Sequence, residues 1–331
     1  MNKLHFIKLC ICLGCVSMIL LVGCQKETVE LTDEPTLAAE QPTARQCAAH
    51  TYNENLMAID PVFQKNQQSI EDFTTRFVAQ YPQTISARAV VTIPVVVHVV
   101  YRTAAGNISD AQINSQIAIL NADFRKTNAD VVQIPTLFKG LAADCEINFV
   151  LTQVVRKATT KKSFSSGTND IKKASLGGSD AISPTTKLNI WVGTLGGGLL
   201  GYAQFPGGAT ATDGVVCLNT AFGNTGTATA PFNQGRTLTH EVGHWFNLRH
   251  IWGDSACGND FVNDTPLHNA SNYGCPQGGH QSTCTGSPVE MTMNYMDYTD
   301  DACMYFFSAG QKTRMQATLA TGGSRNAYIQ R

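Results

Sequence analysis

The sequence has no excess of charge of either sign: 24 Lys and Arg stand against 25 Asp and Glu in 331 residues, a net charge of −1. Nucleic-acid binding usually needs a basic face, so no nucleic-acid partner is expected. Attraction to an anionic surface would have to be local. No fixed repeat period runs through the chain, which argues against a solenoid or propeller. Apolar runs of membrane-spanning length are missing too. The one long apolar stretch sits at the very N-terminus, ends at Val22, and is short for a permanent span. What remains is a chain that is 43% hydrophobic, enough for a packed core, with room for one large domain or two modest ones.

Lys3 and Lys8 precede that apolar stretch, and Leu21-Val22-Gly23-Cys24 follows it. This tetrapeptide resembles the lipobox of bacterial lipoproteins, in which cleavage precedes a cysteine that then carries lipid. Residues 1–23 are therefore expected to be a signal peptide and Cys24 the lipidated residue. The expected location is outside the cytoplasm, anchored to the outer membrane or cell surface or released from it by processing. An ordinary secretory signal cut nearby is the alternative. Four of the 11 cysteines lie at or before residue 24, leaving seven in the exported part. Disulfides persist there. Cys257, Cys275, Cys284 and Cys303 cluster near the C-terminus and allow three pairings.

Residues 24–46 are polar, carry Pro35 and Pro42, and read as a tether. Residues 47–87 hold a weakly helical stretch around Ile70–Tyr81 with no evident core, as in a pro-segment. Stronger patterning fills 88–331. Val95–Tyr101 is a continuous β-branched run, the mark of a buried strand. Ser109 with Gln112 predicts a capping box, and Ile113, Ile117, Leu120 and Phe124 form one apolar helix face. Glu146–Val155, Leu188–Val192 and Val215–Leu218 read as strands, with glycine-rich loops at 196–198 and 207–208. A twisted mixed sheet with packed helices, α+β in class, follows.

The chemistry lies in Thr237-Leu238-Thr239-His240-Glu241-Val242-Gly243-His244-Trp245-Phe246-Asn247-Leu248-Arg249-His250. On a helix, His240 and His244 lie one turn apart on one face and can share one zinc ion. Glu241 can reach the metal's water without filling a coordination position. A third ligand requires the helix to stop. Asn247 supplies the break, because asparagine enters the left-handed region at low cost, and His250 can then turn back to the ion. Three imidazoles leave a fourth position open, as a catalytic zinc requires, whereas structural zinc sites are usually closed by four protein ligands. An HExxH segment alone is a moderate signal; a third histidine at the matching distance sharpens it.

With its third histidine and with Asn294-Tyr295-Met296-Asp297-Tyr298 further on, the sequence resembles the metzincins, and among them the pappalysin type. The resemblance spans about 93–315 and departs at Asn247, where the family has glycine. It implies a zincin fold with an active-site helix, a Met-turn and a C-terminal helix, and zinc endopeptidase activity on proteins or peptides. It implies that Met296 floors the metal site and that Tyr298 binds the developing oxyanion. It also implies the bridges Cys257–Cys284 and Cys275–Cys303. The oxygen-rich loop at Gly253-Asp254 and 259–266 suits calcium, with Asp260, Asp264 and the Thr265 carbonyl as ligands. Related enzymes use a cysteine switch, for which Cys47 is the candidate, although Ala48 replaces the usual glycine; a plain free or modified thiol is the alternative, and activation of a latent form would require a cut, expected at Ala87-Arg88. Asp300 or Asp301, lining the pocket beyond the scissile bond, would favour a basic residue there. Substrate would pair along the strand near 195–201. His98 reads as a core or rim residue, and Cys145 and Cys217 as buried thiols. The rival readings are a catalytically weak surface-binding lipoprotein on a protease fold and a zinc amidase acting on non-protein amides.

Overall fold

The computed structural model describes residues 42–81, 89–277 and 279–330. Cys24 and the Ala87-Arg88 bond lie outside the described residues. Among those residues no helix is long and apolar enough to cross a membrane.

Two helices come first among the described residues, α1 (Ala49–Ile59) and α2 (Pro61–Gln80). Asp60 separates them: its carboxylate accepts from Val62 and Phe63 N–H, and Pro61 takes the first helical position, where no donor is needed. Composition assigned residues up to 46 to a tether and gave 47–87 no core. The structure differs on both counts. Arg45 is buried, and Ala49, Tyr52 and Phe63 join the main hydrophobic cluster.

The sheet comprises β1 (Val91–Tyr101), β2 (Ile147–Ala158), β3 (Leu188–Gly193), β4 (Gly201–Ala203) and β5 (Val215–Leu218), in the order β2-β1-β3-β5-β4. The first four in that order pair in parallel, and β4 runs antiparallel on the edge beside β5. Covered β1, β3 and β5 are almost wholly buried, which explains their mainly apolar residues, with buried His98 and Asn189 bonded to each other; β2 lies at the other edge and buries only Ile147 and Phe149. The expected strand at Leu188–Val192 extends to Gly193 and that at Val215–Leu218 keeps its bounds. The rim strand begins at Gly201, where the substrate strand expected at 195–201 ends, because 196–198 form a glycine turn.

Helix α3 (Asp110–Phe124) packs on β2 and against α5 (Arg236–Trp245); α4 (Thr136–Lys139) is one turn, and α6 (Ala309–Leu319) packs against α2. Ser109 caps α3 by accepting from Gln112 N–H. The reciprocal half of the expected box is replaced: Gln112 Nε2 reaches the carbonyls of Asn219 and Phe222. A full capping box occurs instead at Ser308 and Gln311 on α6. His98 is a core residue, bonded to Ser179 Oγ and Asn189 Oδ1. Cys145 and Cys217 are buried free thiols, and the bridges Cys257–Cys284 and Cys275–Cys303 both form.

Candidate active site

Helix α5 is held at both ends. At its start the Asp301 carboxylate accepts from Gln234 and Arg236 N–H, putting negative charge at a helix N-terminus. Arg236 pairs with Asp123 and Asp130, and Thr239 Oγ1 donates to Asp123, which fixes α5 to α3. At its end Asn247 takes φ 71°. Asn247 N–H donates to the His244 carbonyl and Leu248 N–H to that of Gly243, a Schellman closure. Asparagine thus makes the turn that glycine would make, and the chain returns His250 to the helix face.

The three imidazoles converge. Nε2 of His244 lies 3.1 Å from Nε2 of His240 and 3.1 Å from Nε2 of His250. Each Nδ1 faces outward to an acceptor: the Tyr295 carbonyl for His240, the Leu248 carbonyl for His244 and the Asp254 carboxylate for His250. Those acceptors hold the proton on Nδ1 and turn three lone pairs inward, where they repel one another unless a cation lies among them. A tetrahedral ion with bonds of about 2.0–2.1 Å separates its ligands by roughly 3.3–3.4 Å, close to this spacing. Burial first, then the neighbouring imidazoles, drives the His240 pKa well below its usual value; burial and His250 do the same for His244. Both rings stay neutral, as metal ligands must. The cluster fits zinc.

Asp254, grouped by sequence with an acidic calcium loop, is instead the outer partner of His250 and also meets His50 of α1. Burial would raise its pKa, but these two histidines hold it well below the carboxylate range. Met296 lies beneath α5. A Cβ on Gly243 would come within 2.5 Å of Met296 Sδ, so the fourth residue of His240–His244 has to be glycine for the helix to settle on that sulfur. Sequence reading passed over that glycine. Gly201 has a similar role: a Cβ there would lie 2.9 Å from the Glu241 side chain.

The fourth side of the cluster is taken by the N-terminal segment. Cys47 Sγ and the three histidine nitrogens all lie within 4.8 Å of one another. The thiol sits 3.4 Å from Glu241 Oε2. Burial pushes Glu241 up to about 8, against the Cys47 hydrogen bond and the charges of Arg45 and Lys172. Burial and Glu241 together raise Cys47 well above the usual thiol range. The Tyr298 hydroxyl donates to the Cys47 carbonyl at 3.1 Å, and its ring packs 4.9 Å from that of His250.

Arg45 goes deeper. Its guanidinium donates to Asp301 Oδ1 at 2.7 Å, to Thr237 Oγ1 and to the Thr299 carbonyl, and lies over the Phe232 ring. Of the two candidate pocket acids, Asp301 is buried at this guanidinium, while Asp300 is half-buried with no such contact. In the loop expected to bind calcium, Asp260 accepts from Thr265 Oγ1 and Val262 N–H, and Asp264 from Ser308 Oγ and Gly310 N–H at the start of α6. The two carboxylates therefore already serve a loop turn and a helix cap.

The family described as pregnancy-associated plasma protein-A matches residues 180–320. An extracellular metalloprotease of Pyricularia oryzae is 34% identical over 248 residues, covering 72% of this chain and 78% of that protein. An extracellular metalloprotease of Coccidioides posadasii is 35% identical over 222 residues, 64% of this chain and 70% of its own. Among solved structures, Tannerella forsythia promirolysin aligns with a TM-score of 0.78 at 40% identity, over 86% of this chain and 97% of that one. Mature mirolysin with a cleaved peptide aligns with a TM-score of 0.71 at 45% identity, over 73% and 96%. With a three-histidine cluster on a helix-and-turn and with these matches, the chain belongs to the pregnancy-associated plasma protein-A family and is a zinc metalloendopeptidase.

Proposed function

We propose that this chain is an exported zymogen whose zinc is held by His240, His244 and His250, with Glu241 as general base. The observation that carries the reading is the inward convergence of three Nε2 atoms beside a buried carboxylate. When bound, zinc supplies Lewis acidity toward the scissile carbonyl and lowers the pKa of water. Glu241 accepts the proton of the attacking water and delivers it to the leaving amine. A cation beside it favours its carboxylate form over the raised pKa of the described state. The Tyr298 phenol, kept protonated by burial, donates to the developing oxyanion. Met296 supports the metal site from beneath.

Latency is assigned to Cys47, whose sulfur occupies the side of the cluster that substrate must approach. Gln46 and Ala48 bond to Leu200 and Gly201 on the rim, so the same residues block the strand edge. Residues 47–87 then act as pro-segment and 88–331 as catalytic domain, with release after a cut near Ala87-Arg88. The relatives are consistent with this division, since promirolysin aligns with more of the chain than mature mirolysin does. A basic residue beyond the scissile bond is favoured through Asp301, the position Arg45 now takes.

The deciding experiment measures casein turnover by the zinc-loaded full chain before and after processing, with and without a chelator. Turnover that appears on processing and vanishes with chelator supports the reading. Chelator-resistant turnover sinks the metal assignment, and an unchanged zymogen in Cys47→Ala sinks the switch.

Two peripheral assignments complete the proposal. Residues 1–23 are a signal peptide and Cys24 carries lipid at the head of a tether whose end docks at Asp301 through Arg45, so Cys24→Ala should abolish incorporation of labelled fatty acid. Calcium binds at Asp260, Asp264 and the Thr265 carbonyl. Burial pushes Asp260 up to about 7, a group that a hard cation would restore to its charged form. No rise in Tm on adding calcium to zinc-loaded protein would retire that site.

A further inference from the structure

Strand β4 ends the sheet, and among the described residues its outer side pairs with no other strand of that sheet. Gln204 N–H turns inward to the Gly214 carbonyl and the Leu200 carbonyl accepts from Leu218 N–H, so the alternate residues 201, 203 and 205 face outward. At Ala203 and Phe205 the edge is met by a side chain rather than by backbone. Asn53 Nδ2 donates to the Ala203 carbonyl at 3.1 Å, and Asn53 Oδ1 accepts from Phe205 N–H at 3.0 Å. One carboxamide thus imitates the donor and acceptor of an added strand on either side of Gln204.

A residue of a peptide paired there would lie beside Gln204. Lateral neighbours in a sheet share a face, and so do residues two apart. Its side chain would therefore project on the face of Gln204 and Tyr202, where the Tyr52 phenol now sits. The Tyr52 hydroxyl accepts from Asn169 Nδ2 at 2.6 Å and donates to Gln204 Oε1 at 3.1 Å. Its ring lies 5.5 Å from that of Tyr202, and Lys172 Nζ lies 5.5 Å from its centroid. Lys172 is buried and also faces Trp191 and Tyr202, with its ammonium donating to the Thr212 carbonyl.

We propose that, in the processed enzyme, this pocket is a substrate subsite for a tyrosyl side chain on a peptide extending β4. The inference rests on the latency reading, because Tyr52 must leave first. The lining selects among side chains. A phenol is both acceptor for Asn169 and donor to Gln204, and offers its ring face to Lys172. A phenyl ring leaves the Asn169 donor without its acceptor. A carboxylate has no proton for Gln204 Oε1. The segment orders Arg45 at Asp301, Cys47 at Glu241 and Tyr52 at Gln204. The subsite therefore lies on the opposite side of the reacting centre from Asp301. Gly201 packs against Glu241, and three strand steps of about 3.3–3.4 Å separate it from Gln204. The tyrosine should stand about three residues from the cleaved bond.

The test uses the full chain, zinc-loaded and then processed, with quenched peptides that carry Tyr, Phe, Glu or Ala at each position in turn. The expected result is a kcat/KM for Tyr about tenfold above Phe at one position two to four residues before the cleaved bond. In Asn169→Ala that ratio should fall toward one while the basic preference beyond the bond persists. Equal rates for Tyr and Phe at all positions, in an enzyme that processing has activated, overturn the subsite and leave latency intact. A chain as active before processing as after it overturns both.

Discussion

Two stretches meet at one metal site and could hardly be written more differently. Residues 236–250 concentrate their proposed function in fifteen positions of helix and turn, with the three proposed ligands and the proposed base at fixed local spacing. Residues 45–53 grip the same site with no periodic signature, through contacts reaching from β4 to Asp301, 256 positions away from Arg45. On the proposed reading the first stretch is chemistry and the second is restraint. Substitutions in the two should therefore act with opposite sign on turnover. This is a sharper criterion than loss of function alone, because damage to folding lowers activity in both.

The largest effect should come from Glu241→Gln, which keeps the shape and removes the proposed base. Turnover by the processed enzyme should fall by about 10²–10⁴-fold with zinc content unchanged. Loss of zinc in that variant would mean that the carboxylate holds the metal. Arg45→Ala should come next, with the reverse sign. It removes one partner of a buried ion pair, a change that costs about 3–5 kcal/mol when the other charge is left alone. Asp301 keeps its bonds to Gln234 and Arg236 N–H, so the lower end applies. Since the loss falls on the docked segment, processing should accelerate in a limited-proteolysis time course. An Arg45→Ala chain that processes no faster would separate the two stretches functionally and remove Arg45 from the restraint. Gly243→Ala is smaller, about 1–3 kcal/mol of overpacking against Met296 Sδ. It should appear as a lower Tm and weaker zinc retention. An unchanged Tm would show that the Met-turn yields freely.

How much was legible follows from how local each interaction is. The ligand spacing and the break at Asn247 are written within one helix and turn, and the turn closes as its residue type predicts. Strand β5 was readable for a similar reason: a buried strand is an unbroken apolar run. Gly243 was equally local but carries no functional group, and its need appears only when Met296 is brought beneath it. Asp254 was visible as an acid and assigned to the wrong neighbours, because its loop composition resembles a cation site and its true partner is the third histidine. Gln112 was read as half of a capping box, but nearby carbonyls at Asn219 and Phe222 outcompete the helix end for its amide. The grip of Arg45, Tyr52 and Asn53 had no local signal at all. Each is a polar residue in a polar stretch until a partner about 150 or more positions away is folded against it.

The smallest predicted effect tests whether the two stretches communicate through charge. His50, on α1, reaches Asp254, which in turn holds His250. The hydrogen bond to Asp254 raises the His50 pKa above its usual value despite partial burial. A raised folded-state pKa means that the contact stabilises fully below the unfolded value near 6.5 and is lost as pH rises through the folded value. The His50 side chain is 39% exposed, so solvent reduces the contribution to a few tenths to about 1 kcal/mol. Between pH 6 and pH 8, then, the full chain should lose slightly more stability than His50→Gln does, and its N-terminal segment should be cut faster at the higher pH. Parallel Tm curves for the two proteins across that range would leave Cys47 and Arg45, not charge on α1, to tie the segment to the site.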